Sequence, residues 1–409
     1  MSHTFLPPKV FANAGLKLLK NNLVMAKLCD AEGVDKAFKP GGGATVNVKR
    51  PPEFAIRTGA TASAQDVIEG EVAVTIDKQA GVDVQFTSAE ETLSVDALLK
   101  SKVLDASMSQ IASYIDQQLI ARVSEFHNWV GTPGQVVDSP ADFFLAPQRL
   151  DEMAVPANDR NAIMTPQDGY GMAGSLLASA GMAGNDVAKN ALQKAKIPIL
   201  GNVDPYITQT ISSLTTGTRT NGAVNGASQA VTYLAVKSTY QQTLNIDGVG
   251  ASATVKQGEV FTIAGVYAVN PRTKAALPYL QQFTALEDRT ASSGAIANLA
   301  ISPPIIASGA FQNVSAAPAD DAVLTWLGSA STTYRPSAAF HKTAIKLVSA
   351  KLIRPYSGES DFSTDPETGI TVRYWRYSNG DNDTHNHRWD VMFGTVNADR
   401  RLGVRLSGS

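Results

Sequence analysis

Cysteine is almost missing: Cys29 stands alone in 409 residues. That excludes an intrachain disulfide framework and suits folding in a reducing compartment. Charge is thin as well. Lys, Arg, Asp and Glu make up 18% of the chain and leave a net charge of −2, so no basic stripe of the kind that reads nucleic acid stands out. No run approaches the ~20 apolar residues of a membrane-spanning helix. Met1-Ser2-His3-Thr4 lacks a basic segment followed by an apolar one, so no secretory signal is expected. Catalytic signatures are scarce too. Gly41-Gly42-Gly43-Ala44-Thr45 has neither the GK[ST] ending of a phosphate loop nor dinucleotide spacing, and reads as a flexible joint; no GxSxG elbow occurs. What is plentiful is apolar material, 44% of the residues, which argues against disorder. The length exceeds the roughly 250–300 residues that one core serves, so two or more compact units are expected.

Residues 11–30 predict an amphipathic helix, with Leu16, Leu19, Leu23 and Ala26 on one stripe. Beyond the glycines, Val46 and Val48 alternate with polar residues up to Pro51-Pro52. Val72, Val74 and Ile76, then Val82, Val84 and Phe86, repeat the pattern. Together they predict a long hairpin whose polar tip, 53–66, has little to bury in its own subunit. Ser88 with Glu91 reads as a capping box. Leu104, Met108, Ile111, Ile115, Leu119, Val123 and Phe126 then recur at three- and four-residue steps, predicting a helix of about 30 residues and ~45 Å. From 140 to 215 the pattern is α/β: strands at 162–164 and 197–200, a helix entered at Thr165-Pro166, and helices over 168–180 and 184–195. Between 216 and 336 the chain turns rich in Thr, Ser, Ala, Gly and Val. Short strands at 230–236, 243–246, 259–266, 281–286 and 298–301, with turns at Asp247-Gly248 and Asn270-Pro271, favour a small barrel or sandwich. Ala338–Lys351 predicts a helix, and Thr371–Tyr377 with Arg388–Val396 a closing hairpin.

Each candidate site has a plain structural alternative. Asp381-Asn382-Asp383-Thr384-His385-Asn386-His387 is the best metal candidate, since two histidines one residue apart share a strand face. A polar hairpin loop explains it better, and His3, His127 and His341 are scattered. Arg373, Arg376 and Arg388, interleaved with Tyr374, Trp375, Tyr377 and Trp389, could stack on nucleic acid. Cross-strand packing in a sheet explains the same residues with less. Cys29 reads as a small buried side chain. The sequons at Asn313 and Asn382 matter only in a secretory pathway. No catalytic, cofactor or metal residue is assigned.

The order of elements resembles the tailed-phage capsid fold of the Hong Kong 97 type, an α+β fold with an arm, an extended loop, a long spine helix, and peripheral and axial domains. The segment Val255-Lys256-Gln257-Gly258-Glu259-Val260-Phe261-Thr262-Ile263-Ala264-Gly265-Val266, followed by Gln281-Gln282-Phe283, is similar to the barrel-like insertion of short-tailed enterobacterial phage coat proteins. Ala339-Phe340-His341-Lys342-Thr343-Ala344 and Ile163-Met164-Thr165-Pro166-Gln167-Asp168 resemble axial-domain segments of the same proteins. The resemblance implies an arm at 1–40, an extended loop at 41–88, and spine helix with peripheral domain at 89–139. It places the axial domain at 140–215, the inserted β domain at 216–336, and axial return with peripheral strands at 337–409. It also implies a non-enzymatic major capsid protein forming hexamers and pentamers of an icosahedral head around double-stranded DNA, with no cofactor and no membrane. Implied partners are further copies, a scaffolding protein and portal, and a decoration protein. An encapsulin-like nanocompartment shell is the rival, although encapsulins generally lack the insertion. A β-rich surface-binding module is a weaker one.

Overall fold

The structure, a computed structural model, describes residues 7–31, 45–54, 56–57, 59–61, 64–87, 102–179 and 197–409. The glycine joint at 41–43, the Ser88 capping box and the 184–195 helix lie outside the described residues. The chain divides into two compact units: one of Met1–Val48, Ala73–Ile120 and Ile345–Val396, the other of Lys49–Val72, Ala121–Ala344 and Asn397–Ser409.

The first unit is built on an antiparallel sheet centred on Thr384–Asn397. These 14 residues are long enough to pair with Thr371–Asn379 on one side and Lys78–Thr87 on the other, and Glu359–Thr364 adds a further strand beyond Thr371–Asn379. The run at 82–86 is therefore a sheet strand. Only Thr45–Arg50 and Gly70–Thr75 pair as the two-stranded ribbon of the expected hairpin. The amphipathic segment is helical over Pro8–Asn22 and again over Met25–Leu28. It breaks at Leu23-Val24 because the buried Asp116 carboxylate accepts hydrogen bonds from the Val24 N–H (2.8 Å) and the Ala26 N–H (3.2 Å). Phe11, Ala12, Gly15 and Leu19 form its buried face, with Leu16 only half-buried. Phe11 stacks on Tyr374 at 5.1 Å, and Gly15 lets the helix approach Trp389. Helix Pro8–Asn22 thus spends its apolar face on its own sheet, each large side chain contributing about 1.5–3 kcal/mol of burial. The described part of the long helix is Lys102–Ala121, about 30 Å at 1.5 Å per residue. It buries the predicted Leu104, Met108, Ile111, Ile115 and Leu119; a 3₁₀ turn, Arg122–Glu125, follows it.

The second unit holds a mixed five-stranded sheet ordered Asn128–Val130, Gly403–Leu406, Ser337–His341, Arg160–Met164, Val203–Ile207. Helices Pro140–Glu152 and Pro166–Ser179 supply Phe143, Leu150, Met172 and Leu176 to its core. Ser139 caps the first by accepting from the Asp142 N–H, and Thr165 caps the second through the Asp168 N–H. Two expectations fail here. Ala338–Lys351 is not a helix: Ser337–His341 is fully buried between two antiparallel partners, and Ile345–Ala350 is a strand in the other unit. The alanines that favour helix locally serve as small side chains in a strand buried on both faces. The strand expected at 197–200 falls instead at Val203–Ile207, parallel to Arg160–Met164, and leaves Ile199 exposed.

Residues 223–326 form a six-stranded sheet ordered Leu324–Trp326, Val260–Val269, Ala276–Ala285, Ile296–Ser302, Gln242–Asp247, Ala223–Val224. Its two ends meet. Ala223 bridges Val323, and the N–H groups of Val224 and Leu324 donate to the carbonyls of Ala322 and Gly222. The sheet is closed, which removes its free edges. Leu244, Phe261, Ile263, Phe283, Leu299 and Ile301 fill it, all at 0% exposure. Leu214–Thr215 pairs with Thr333–Tyr334 where the chain enters and leaves. The expected strand at 230–236 is a short helix, Tyr233–Val236, with Tyr233 stacked on Phe311 at 3.5 Å. The two predicted turns are present. Gly248 takes a φ of +70°, and the Asn270 side chain accepts from the N–H groups of Arg272 and Thr273.

Candidate assembly surfaces

The metal candidate resolves into a turn and a strand. Asp381, Asn382 and Asp383 are exposed in the turn before Thr384–Asn397. His385 and His387 follow on one strand face, each held by its own hydroxyl. His385 Nδ1 lies 2.7 Å from Ser378 Oγ; the buried His387 Nδ1 lies 2.6 Å from the Tyr374 hydroxyl. Among the described residues no group of three or more His, Cys, Asp or Glu side chains is placed to hold a metal ion. The arginine–aromatic stripe is likewise occupied. Arg373 and Arg388 both pair with the fully buried Asp390 carboxylate, and Arg376 with Glu359 at 2.6 Å. Cys29 is buried, and burial with the neighbouring Asp116 and Asp30 pushes its thiol well above the ordinary range, which makes it a poor nucleophile. Asn313 is engaged on both sides of its amide: it donates to the Pro304 carbonyl and accepts from the Ile306 N–H.

The second unit carries buried charges that sequence reading missed, because their partners lie hundreds of residues apart. Arg405, at 0% exposure, donates to the carbonyls of Gly258 and Ser124 and to Thr284 Oγ1. Its guanidinium sits 5.2 Å from the centre of the Trp129 ring. Burial pulls it down to about 9, so it remains charged at neutral pH. It joins the last strand of the five-stranded sheet to the closed barrel. Inside the barrel, Arg219 pairs with Glu259 at 3.1 Å; both are buried, and burial raises the Glu259 carboxyl despite that partner.

A second charged cluster lies at the root of the loop 51–69. Arg50 donates to the Ala398 carbonyl, and Glu53 accepts from Arg401 at 2.5 Å and from Lys274 at 3.2 Å. Tyr240 has the guanidinium carbons of both Arg50 and Arg401 near its ring, at 5.1 and 5.3 Å from the ring centre. Burial opposes ionisation of Asp399, but Arg401 and Arg50 override it and hold the carboxyl at about 2. Nearby His127 is 2% exposed, and burial drops its imidazole to about 3.

Two exposed apolar surfaces lie apart from these buried groups. At the loop tip Phe54, Ile56 and Val67 are 54%, 87% and 65% exposed, beside the exposed Asp66 and Glu69. In the first unit the segment 351–358 exposes Ile353 and leaves Tyr356 wholly in solvent, with Lys351 and Arg354 lying over the Phe362 ring. Several large apolar side chains exposed within one short stretch make these the candidate assembly surfaces.

The sequence profile described as "P22 coat protein - gene protein 5" matches residues 10–408. No curated protein matches the sequence. Among solved structures, a chain from Mycobacterium phage Che8 is 12% identical, covering 95% of this chain and 92% of its own at a TM-score of 0.47. A chain from the asymmetric unit of the bacteriophage PhiM1 mature capsid is 9% identical, covering 90% and 83% at 0.42. The CUS-3 coat protein I-domain is 25% identical over 29% of this chain and all of its own, at 0.19. Because the family match runs over nearly the whole length, the chain belongs to the P22 coat protein family and is a tailed-phage major capsid protein, a component of the virion.

Proposed function

We infer that copies of this chain assemble through the loop tip, in hexamers and pentamers, into an icosahedral head around double-stranded DNA. The observation that carries this is the exposed Phe54–Ile56–Val67 tip. Its apolar side chains are displayed where their own unit does not cover them. The occupant we favour is the 351–358 segment of a neighbouring copy. That segment offers Ile353 and Tyr356 to the apolar tip, and Lys351 and Arg354 to Asp66 and Glu69. Association of this kind sums many modest interfaces over a closed lattice.

The domain boundaries given above, including a barrel insertion at 216–336, belong to this reading. So do synthesis in the host cytoplasm and assembly with scaffolding protein and portal, with a decoration protein added outside. The DNA is enclosed without sequence recognition, in keeping with a charge of −2, and no catalytic role is assigned. An encapsulin-like shell is the second reading, and the barrel argues against it.

Electron microscopy of the overexpressed protein tests the proposal. Wild type should give closed shells or tubes of capsomers, and Ile56→Asp should give unassembled, folded subunits. Normal shells from Ile56→Asp together with Phe54→Asp would exclude the tip as an assembly contact.

A further inference from the structure

The root of the loop is tied down more heavily than a flexible projection requires. Glu53 bridges two cations from distant parts of the chain. Lys274 lies in the turn between Val260–Val269 and Ala276–Ala285 of the barrel, and Arg401 follows Asp399 near the last strand. Each partner is fixed in turn. The Arg401 guanidinium forks onto both oxygens of Asp399 at 2.8–3.1 Å. Lys274 sits in a turn closed by its own N–H donating to the Asn270 carbonyl, while the Asn270 side chain donates to the Glu152 carbonyl. Arg50, three residues before Glu53, is 7% exposed and pinned to the Ala398 carbonyl and the Tyr240 ring. Pro51 and Pro52 between these anchors stiffen the chain by fixing φ. Two anchors three residues apart, joined by a stiff segment, define a direction as well as a position.

We propose that Glu53 is a positioning residue: a latch that fixes the direction in which the loop 51–69 projects within the second unit, and through it the geometry with which the tip meets a neighbouring copy. The proposal rests on the tip-docking reading for its consequence in the shell, but the latch itself is a property of the subunit. Magnitudes favour a directional role over a stabilising one. Glu53 and Lys274 are each 22% exposed, and ion pairs with access to solvent contribute only about 0–1 kcal/mol. Loss of the latch should therefore leave the fold intact and loosen the loop.

The experiment places spin labels on Ile56→Cys, in the tip, and Leu234→Cys, on the barrel. Both native side chains are exposed, and Cys29 is buried away from the reagent. Double electron–electron resonance then compares wild-type background, Glu53→Gln and Lys274→Ala. The expected result is a distance distribution about twofold wider in both variants, as local opening at a low-stability segment gives, with melting temperatures little changed. Their shells should vary in diameter or give way to tubes. Distance distributions identical to wild type in both variants overturn the latch. Failure of the unlabelled wild type to form shells counts against the docking reading, and the distance measurement still decides the latch.

Discussion

Arg405 poses the sharpest question at the scale of single residues, because the hydrogen bonds that hold this buried cation go to neutral acceptors, with the Glu125 carboxylate acting on it through charge alone. Its contacts with Gly258, Ser124 and Thr284 point in different directions, which a planar guanidinium can satisfy and an ammonium on a flexible stem serves poorly. Arg405→Ala leaves these buried acceptors without their donor. It should lower stability by about 3 kcal/mol or more, read as a drop in the urea midpoint, with Arg405→Lys recovering only part. His127 makes a pH-dependent prediction. Burial depresses its imidazole to about 3, so the folded state binds that proton less readily than the unfolded chain does. Its contribution is complete above the unfolded value of about 6.5 and is lost as pH falls toward 3, by up to about 1.4 kcal/mol per pH unit. His127→Gln should flatten the stability–pH curve between about 6.5 and 4; an unchanged slope in urea titrations would refute the assignment. Gly15 sets two effects against each other. Alanine gains about 1 kcal/mol of helix propensity, but its Cβ would lie 3.1 Å from Trp389, and overpacking costs about 1–3 kcal/mol. The net expectation for Gly15→Ala is a loss, seen as a lower thermal midpoint.

Among the elements, those read correctly from sequence were the ones whose neighbours are local or whose pattern is long. The five predicted contacts Leu104 to Leu119 all lie on the buried face of Lys102–Ala121, because helix periodicity repeats regardless of what it packs against. Four of the five predicted barrel strands are present for a similar reason: alternation with turn residues marks them without knowledge of their partners. The failures share a cause. Ser337–His341 reads as helix until its two flanking strands are known, one from residue 160 and one from residue 403. Val82–Phe86 reads as hairpin until Thr384–Phe393 claims it. The break at Leu23-Val24 depends on Asp116, about ninety residues later. Asp116→Asn should weaken that junction by about 1–2 kcal/mol, as loss of a capping carboxylate does, and hydrogen exchange should quicken at the Val24 and Ala26 amides. Neither the half-buried charges at Glu53, Asp399 and Arg401 nor the buried Arg405 was legible as a site, since the links that join them to Lys274, Arg50 and the barrel run between residues distant in sequence. The exposed tip was half legible. Its polarity was plain, but that Phe54 and Ile56 would stay in solvent was not.

For the molecule as a whole, the closed barrel predicts its own independence. Its core residues all lie between Val224 and Trp326, and its chain ends meet at Leu214–Thr215 and Thr333–Tyr334. A fragment spanning 214–334 should fold alone, with dispersed amide resonances, while lacking the Arg405 tie. A disordered spectrum would show that the barrel needs its host. The same meeting of ends bears on how the chain acquires its structure over time. In the host sheet Ala338 must find Ile163, a separation of about 175 residues. Once the barrel has formed and brought 214 beside 334, the effective separation falls to about 55 residues, which lowers the entropic cost of closure by about 1 kcal/mol. Strand Gly403–Leu406 lies second in that sheet, so the sheet stays incomplete until residue 406 has left the ribosome. A nascent subunit would thus hold a finished barrel on an open host sheet, and slowing translation after residue 334 should lengthen the life of that intermediate.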